Sequence, residues 1–144
     1  MLVQDVYLKE WDWYAKVYYA VDTFYMSDIL GELEAIGCDY KTLNKIERDL
    51  TLHPYNNGLT YSVFPFRCSI VVIGLTNSPE EFQNTFDHEK GHLAMHISEC
   101  DDIDVFGEEF QYLTGEIGKQ MFPVAKRFMC EHCRKDLGIR EFIE

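Results

Sequence analysis

Aromatic and β-branched side chains dominate the start of the chain. Trp, Tyr and Val residues recur from Trp11 to Val21, and side chains of this kind pack well on a pleated sheet. We therefore predict an aromatic β-hairpin over residues 1–25, with its two strands meeting near residues 10–12.

The pattern then changes to helical spacing. Over residues 26–50, apolar side chains recur three or four positions apart, which predicts two short helices, the first capped by Ser27. Two strands are predicted over residues 59–75. The nearly continuous apolar run Ser69–Ile73 is typical of a strand covered on both faces, and Pro65 indicates an edge or a bend between the strands.

The clearest helical signal covers residues 78–97. Ser78 is a suitable N-cap, and Pro79 suits the first helical position. A final helical region is predicted over residues 107–137, with a kink or a restart at Pro123. Strands, two helices, strands and two further helices in this order predict a single α+β domain with a small antiparallel sheet.

The composition fits one domain of acidic character. The chain has 144 residues, of which 47% are hydrophobic, and this is enough to form a core. Its formal net charge is -12, and a surface of that sign repels phosphate backbones, so we expect no nucleic-acid partner. Basic residues gather near the C-terminus, where we expect them on a solvated helix face: Lys126, Arg127, Arg134 and Lys135.

The sequence has no evident targeting signal. The apolar run near residues 70–75 is shorter than the roughly 20 residues that cross a bilayer, and residues 1–10 lack the basic-then-apolar order of a signal peptide. We therefore expect a protein of the host cytoplasm with no membrane partner. Its five cysteines are expected to be reduced thiols, and its N-terminal aromatic residues could support an oligomer.

A zinc-binding pattern lies on the helix predicted over residues 78–97. His88 and His92 are four positions apart, which places them one turn apart on the same side of a helix. Two imidazole nitrogens in this arrangement can converge on one Zn²⁺ at roughly 2.0–2.1 Å. Glu89 follows His88 directly, and in an HExxH motif this glutamate takes a proton from the attacking water.

A helical count of about 100° per residue indicates how the motif is oriented. Glu89 falls near the middle of the apolar stripe of the helix, and His88 and His92 border that stripe. A glutamate that faces inward needs a partner, which a catalytic water and a substrate cleft would supply. The stripe consists of Phe82, Phe86, Leu93 and Ile97.

Catalytic zinc sites of this type add one carboxylate to the two histidines. Glu108 and Glu109 follow His92 by 16 and 17 residues and begin the next predicted helix. Glu109 flanks the apolar stripe of that helix, whereas Glu108 points further out. We therefore predict Glu109 as the third ligand and Glu108 as the alternative. Both could instead be helix-start acids that the macrodipole stabilises.

Hydrolysis also requires a donor that stabilises negative charge on the carbonyl oxygen of the substrate. Tyr112 on the next predicted helix and His96, one turn after His92, are weak catalytic candidates for this role. A packing or supporting role fits each of them better.

The segment from Thr85 to His96 resembles the active-site helix of the ImmA/IrrE family of small zinc metallopeptidases. That family commonly shows a threonine, then HExGH, then apolar residues and a further histidine. Its second signature is a glutamate that opens the next helix with another acid seven residues on, which Glu109 and Glu116 match. The resemblance covers about residues 69–121.

Two positions depart from the family pattern. Lys90 stands where the family usually has an apolar residue, and Phe110-Gln111 stands where it has Ala-Asn. The aromatic hairpin and the two helices that follow it match no part of the family pattern.

The resemblance implies a zincin-like fold with Zn²⁺ on His88, His92 and Glu109 and with Glu89 as general base. It also implies a phage or mobile-element setting, in which a regulator protein is the substrate. We therefore expect hydrolysis of a peptide bond in a specific protein. Two alternatives stay open: a zincin-fold interaction or structural module that keeps the metal without catalysis, and an unrelated α+β domain in which the two histidines belong to the core.

Overall fold

The computed structural model describes residues 1–22 and 25–137, so residues 23 and 24 of the predicted hairpin lie outside the described part. The fold is α+β, as predicted. Short 3₁₀ segments follow the first and third strands and the fourth helix. In chain order, the main elements are β1 (Leu2–Leu8), β2 (Trp13–Val21), α1 (Met26–Ala35), α2 (Tyr40–Leu52), β3 (Gly58–Val63), β4 (Cys68–Gly74), α3 (Pro79–Asp101), α4 (Glu108–Ala125) and α5 (Glu131–Asp136).

The four strands form one mixed sheet in the order β1-β2-β4-β3. β1 pairs antiparallel with β2, and β3 pairs antiparallel with β4, but β2 and β4 run parallel. The expectation of a purely antiparallel sheet is therefore wrong at the central pairing. The reason is that α1 and α2 lie between the two hairpins, and such a crossover lets the chain return to the sheet in its original direction.

Helices cover both faces of the sheet, and β4 is buried between two apolar clusters. Val71 and Ile73 belong to the larger cluster with residues of α3 and α4. Ile70 and Val72 belong to the smaller cluster with residues of α1 and α2. Because side chains alternate along a strand, this division confirms the prediction that Ser69–Ile73 is covered on both faces.

The observed helix ends agree with the sequence-based expectation at the start of α3 but not at the start of α1. Tyr25, and not Ser27, occupies the N-cap position of α1, so the predicted cap is wrong. Ser78 does cap α3, where its hydroxyl accepts a hydrogen bond from the backbone N–H of Glu81 at 3.1 Å. Pro123 lies inside α4, close enough to its end that few backbone hydrogen bonds are lost.

The basic C-terminal segment is not wholly a solvated face. Arg134 is only 5% exposed, and its guanidinium donates to the hydroxyl of Thr76 at 3.0 Å and to the Thr76 carbonyl at 2.6 Å. These bonds tie α5 to the chain that follows β4. Lys126, Arg127 and Lys135 are exposed as expected.

Within the described ranges, every helix is too short or too polar to cross a membrane. The five cysteines are all free thiols in the structure.

Candidate metal centre

The two histidines of the motif converge at the surface of α3. The Nε2 atoms of His88 and His92 lie 3.0 Å apart, and their ring planes are inclined at 78°. Both side chains are exposed. At this distance, an N–H on one ring can donate to the bare nitrogen of the other.

The spacing of the two nitrogens suits a shared metal ion. Two ligand nitrogens at tetrahedral angles and at Zn–N distances of 2.0–2.1 Å are about 3.3 Å apart. The observed separation of the Nε2 atoms of His88 and His92 is 3.0 Å. The side chains therefore need only a small opening to hold Zn²⁺, and the donor chemistry of imidazole fits this ion.

Glu89 faces the interior, as its place in the apolar stripe predicts. Its side chain is only 3% exposed. The hydroxyl of Thr60 on β3 donates to Oε1 of Glu89 at 3.0 Å and lies 3.2 Å from the Glu89 backbone carbonyl. We expected a water and a substrate cleft to be the partner of this inward acid; the structure places a threonine hydroxyl there.

The backbone of β3 passes directly beneath this carboxyl group. A Cβ added at Gly58 would lie 2.7 Å from Cγ and 2.8 Å from Oε2 of Glu89, and also 2.7 Å from the carbonyl oxygen of Val72. Only glycine leaves room for the glutamate at this point. Gly58 therefore allows α3 to approach the edge strand with an acid between them.

Burial changes the proton affinity of Glu89. Loss of solvent raises its pKa above the ordinary glutamate value, while the hydrogen bond from Thr60 and the neighbouring imidazoles of His92 and His88 act in the opposite direction. A carboxyl group whose pKa moves towards neutrality is better suited to accept a proton from water than a fully solvated one.

A polar cleft opens beside the motif. Its volume is about 170 Å³, and it is lined by Asn56, Asn57 and Gly58 at the start of β3 and by Asn84, Thr85, His88 and Glu89 on α3. Thr85 is buried, at 4% exposure, and its hydroxyl has no hydrogen-bond partner among the described residues. The cleft thus borders two residues of the HExxH motif, His88 and Glu89.

The predicted carboxylate ligands are not grouped with the histidine pair. Glu108 and Glu109 form the exposed first turn of α4. α4 packs along the Lys90 side of α3, since the Lys90 ammonium lies 3.6 Å from the position of a Cβ at Gly118. His88 and His92 each lie about 160° around the helix from Lys90.

The structure therefore assembles only part of the predicted metal site. Among residues 1–22 and 25–137, no three His, Cys, Asp or Glu side chains are grouped so that they could hold a metal ion. His88 and His92 are brought together and Glu89 lies close enough to feel both imidazoles, whereas Glu109 and Glu108 are not grouped with the pair. The role of either glutamate as third ligand stays a prediction. Glu116 accepts a hydrogen bond from Gln120 at 3.2 Å.

The two weak catalytic candidates have different surroundings. His96 is half-buried, and its Nδ1 lies 2.7 Å from the hydroxyl of Ser62 on β3. This hydroxyl lies 2.6 Å from that of Ser69, which accepts the indole N–H of Trp13 at 2.9 Å. Burial lowers the pKa of His96. Tyr112 is 67% exposed on α4. The supporting role expected for His96 fits its place in this hydrogen-bond network with Ser62, Ser69 and Trp13.

Sequence reasoning missed the contribution of β3. Thr60 and Ser62 are two positions apart on the strand and face α3, where they bond to Glu89 and His96. Their polar side chains alternate with Leu59, Tyr61 and Val63, and that alternation is the signal that could have identified them. The alternation does not predict that these two side chains contact α3.

The glycine inside the motif has open space around it. A Cβ at Gly91 would meet no atom within 4 Å. This open space indicates that glycine is tolerated at position 91 and is not required there by close packing.

Comparisons with known proteins identify no relative. No protein-family model matches the chain, and no match was found among curated proteins or solved structures.

Proposed function

We propose that this protein is a zinc-dependent peptidase that hydrolyses a peptide bond in a specific protein substrate. His88 and His92 hold Zn²⁺, and Glu89 acts as the general base. The main support for the proposal is that the Nε2 atoms of His88 and His92 lie 3.0 Å apart. The buried carboxyl group of Glu89 lies near them, beside an open cleft.

Each residue of the site has a distinct role in the proposed mechanism. The two imidazoles would hold Zn²⁺, which when bound would polarise the substrate carbonyl and lower the pKa of water. Glu89 accepts the proton of the attacking water and delivers it to the leaving amine. Thr60 orients the carboxyl group of Glu89 through its hydroxyl, and Gly58 leaves the space in which that carboxyl group lies.

Glu109 is the proposed third ligand, with Glu108 as the alternative. Both lie on the first turn of α4, directly after the connection from α3. Because neither acid is grouped with the two histidines, metal binding through either one requires that this first turn shift towards them. The proposal therefore includes a local rearrangement of residues 102–109 when zinc binds.

The first experiment measures zinc and cleavage together. Purified protein is loaded with one equivalent of zinc and incubated with a peptide library, and the products are identified by mass spectrometry. We expect cleavage by the wild type and a loss of about 10²–10⁴-fold in Glu89→Gln, since general-base catalysis contributes by this amount. Zinc content should be equal in both proteins.

The matched control is Glu99→Gln. Glu99 is an exposed acid on the same helix and lies outside the cleft, so cleavage by this variant should equal that of the wild type. If the wild-type protein binds no stoichiometric zinc, every hypothesis in which the HExxH motif binds metal is wrong.

A second candidate function has its own supporting observation. Neither Glu109 nor Glu108 joins the two histidines, and among the described residues no other acid, cysteine or histidine completes the set. This arrangement favours a protein that binds metal through two side chains and acts as an interaction or structural module. Exposed aromatic residues, such as Tyr14 and Phe66 at 57% and 73% exposure, would then contact the partner. Identical cleavage profiles of the wild type and Glu89→Gln, with zinc retained in both, would favour this function.

A further inference from the structure

Two cysteines lie one turn apart where α5 begins. Cys130 occupies the N-cap position, and its sulfur accepts a hydrogen bond from the backbone N–H of Cys133 at 3.2 Å. Cys130 is exposed and Cys133 is partly exposed. Both residues therefore lie at the surface, with their side chains on the same turn.

This spacing suits a disulfide bond. Residues three positions apart in a helix have Cα atoms about 5 Å apart, within the range of roughly 4.4–6.8 Å that a disulfide spans. The two side chains already interact as thiols: a hydrogen bond with Cys133 lowers the pKa of Cys130, and the same bond raises the pKa of Cys133. One sulfur is thus set to ionise first and attack, and the other to follow.

Neighbouring charges do not change this order. Lys126 lowers the pKa of Cys133, whereas Asp136 raises the pKa of both cysteines. Each of these effects is smaller than that of the hydrogen bond between the two side chains. The order of ionisation is therefore set by the pair itself.

The helix that carries the pair is fixed to the domain. Arg134 follows Cys133 directly and is only 5% exposed, and its guanidinium donates to the hydroxyl and the carbonyl of Thr76 at 3.0 and 2.6 Å. This anchor keeps the two cysteines on a helical turn. Their geometry is then a property of the folded protein and not only of their spacing in the sequence.

Other cysteines of the chain have the properties of unreactive thiols. Cys38 is buried, and loss of solvent is the main cause that raises the pKa of both Cys38 and Cys68. A raised pKa leaves less of the thiolate, which is the nucleophile. Thiol chemistry at neutral pH is therefore expected at the Cys130–Cys133 pair first.

We propose that Cys130 and Cys133 form a thiol–disulfide exchange site that is oxidised to an intramolecular disulfide by a low-molecular-weight disulfide. Cys130 is the attacking residue and Cys133 the resolving one. This activity is separate from the HExxH motif and does not rest on the proposed peptidase function. Transient disulfides of this kind also occur in compartments that keep thiols reduced.

The exchange takes two steps. The Cys130 thiolate attacks one sulfur of the small disulfide, so that a mixed disulfide forms on Cys130 and the other half leaves as a thiolate, which takes up a proton. Cys133 then loses its proton to solvent, and its thiolate attacks the sulfur of Cys130 and releases the second half as a thiol. The protein loses two electrons, and the small disulfide is reduced to two thiols.

The test uses the full chain with a metal chelator present, so that its outcome does not depend on zinc. Reduced protein is incubated with glutathione disulfide at about pH 7, quenched with iodoacetamide and digested, and the peptides are identified by mass spectrometry. In the wild type we expect a disulfide between Cys130 and Cys133, while Cys38, Cys68 and Cys100 are recovered as alkylated thiols.

Two variants separate the attacking sulfur from the resolving one. Cys133→Ser should stop at the first step and carry one glutathione on Cys130. Cys130→Ser should form no disulfide and should lose the rapid glutathione adduct, and serine is itself a good N-cap, so α5 is retained. Cys100→Ser is the matched control: it removes another partly exposed cysteine, and the Cys130–Cys133 disulfide should form as in the wild type.

The contribution of the fold is measured with Cys133→Ser in urea. The unfolded chain keeps the sequence around Cys130 but loses the cap and the Arg134 anchor, so glutathione should add to Cys130 more slowly than in the native protein. Three results would overturn the proposal: a wild type that keeps both thiols reduced, a Cys130→Ser variant that takes up glutathione on Cys133 as fast as Cys133→Ser does on Cys130, or equal rates in the native and unfolded protein.

Discussion

The hydroxyl of Thr60 on β3 donates a hydrogen bond of 3.0 Å to the buried carboxyl group of Glu89 on α3. This bond joins the edge strand of the sheet to the helix that carries the HExxH motif. It also explains how an acid can occupy the apolar side of that helix, since a buried polar group requires a partner.

Removal of the Thr60 hydroxyl should destabilise the fold. In Thr60→Val, the carboxyl group of Glu89 loses its side-chain donor while staying buried, and we expect the free energy of unfolding to fall by about 1–3 kcal/mol. Thr60→Ser keeps the hydroxyl and should retain most of the stability. Urea denaturation of the three proteins measures the difference. If the valine variant unfolds at the wild-type urea concentration, the Thr60–Glu89 bond does not stabilise the protein.

Two glycine-to-alanine substitutions should have opposite effects. At Gly58, the new Cβ would lie 2.7 Å from both Glu89 and the Val72 carbonyl, and we expect a loss of about 1–3 kcal/mol from this overpacking. At Gly91, the Cβ would meet nothing within 4 Å, and alanine should stabilise α3 by about 1 kcal/mol. Thermal denaturation of the two variants shows whether each substitution stabilises or destabilises the protein. If Gly58→Ala is as stable as the wild type, the backbone of β3 does not lie in close contact with Glu89.

The histidine pair should be required for zinc. We expect His88→Ala and His92→Ala each to weaken zinc binding by more than about 100-fold, the upper range for the loss of a merely supporting partner. Zinc at 100 times its dissociation constant should stabilise the wild type by about 2.7 kcal/mol, and neither variant should respond. His132→Ala is the control, because His132 is exposed on α5. Calorimetric titration and melting curves with zinc measure these effects.

The choice between the two candidate carboxylates has its own test. If Glu109 is the third ligand, Glu109→Gln should weaken zinc binding by about 10-fold or more, while Glu108→Gln should leave it near the wild-type value. The reverse order would assign Glu108. Equal affinity in the wild type and both variants would exclude a ligand from the first turn of α4 and would support the two-histidine interaction module.

The ion pair between Arg67 and Asp101 should make stability depend on pH. The guanidinium donates to both carboxylate oxygens at 2.7 Å and lowers the pKa of Asp101 below the ordinary aspartate value. A lowered pKa adds stability above the unfolded-state value, about pH 3.9, and that stability is lost as the pH falls through the folded-state value.

Comparison with Asp101→Asn isolates this contribution. At about pH 7 the variant should be less stable than the wild type by about 1–2 kcal/mol, a range discounted for the partial exposure of the pair. This difference in the free energy of unfolding should decrease steadily as the pH falls. Urea denaturation across this pH range measures it, and a gap that stays constant with pH would show that Asp101 contributes through packing and not through its charge.

The sequence alone determined those features that depend on local pattern. The cap at Ser78, the helix that carries His88 and His92, the inward orientation of Glu89 and the double coverage of β4 all follow from the spacing of residues near one another in the chain. Helical rotation and strand alternation are set by backbone geometry. For that reason, about 100° per residue was enough to place the two imidazoles side by side and the glutamate beneath them.

Only the tertiary structure decided what those local elements contact. The parallel pairing of β2 with β4, the partnership of Thr60 with Glu89 and the packing of α4 on the Lys90 flank each join residues that are distant in the sequence. The periodicity of a helix shows which face is buried, but it does not specify which neighbour covers that face. This is why the histidine pair could be predicted, whereas the position of Glu109 relative to it depends on how two helices pack.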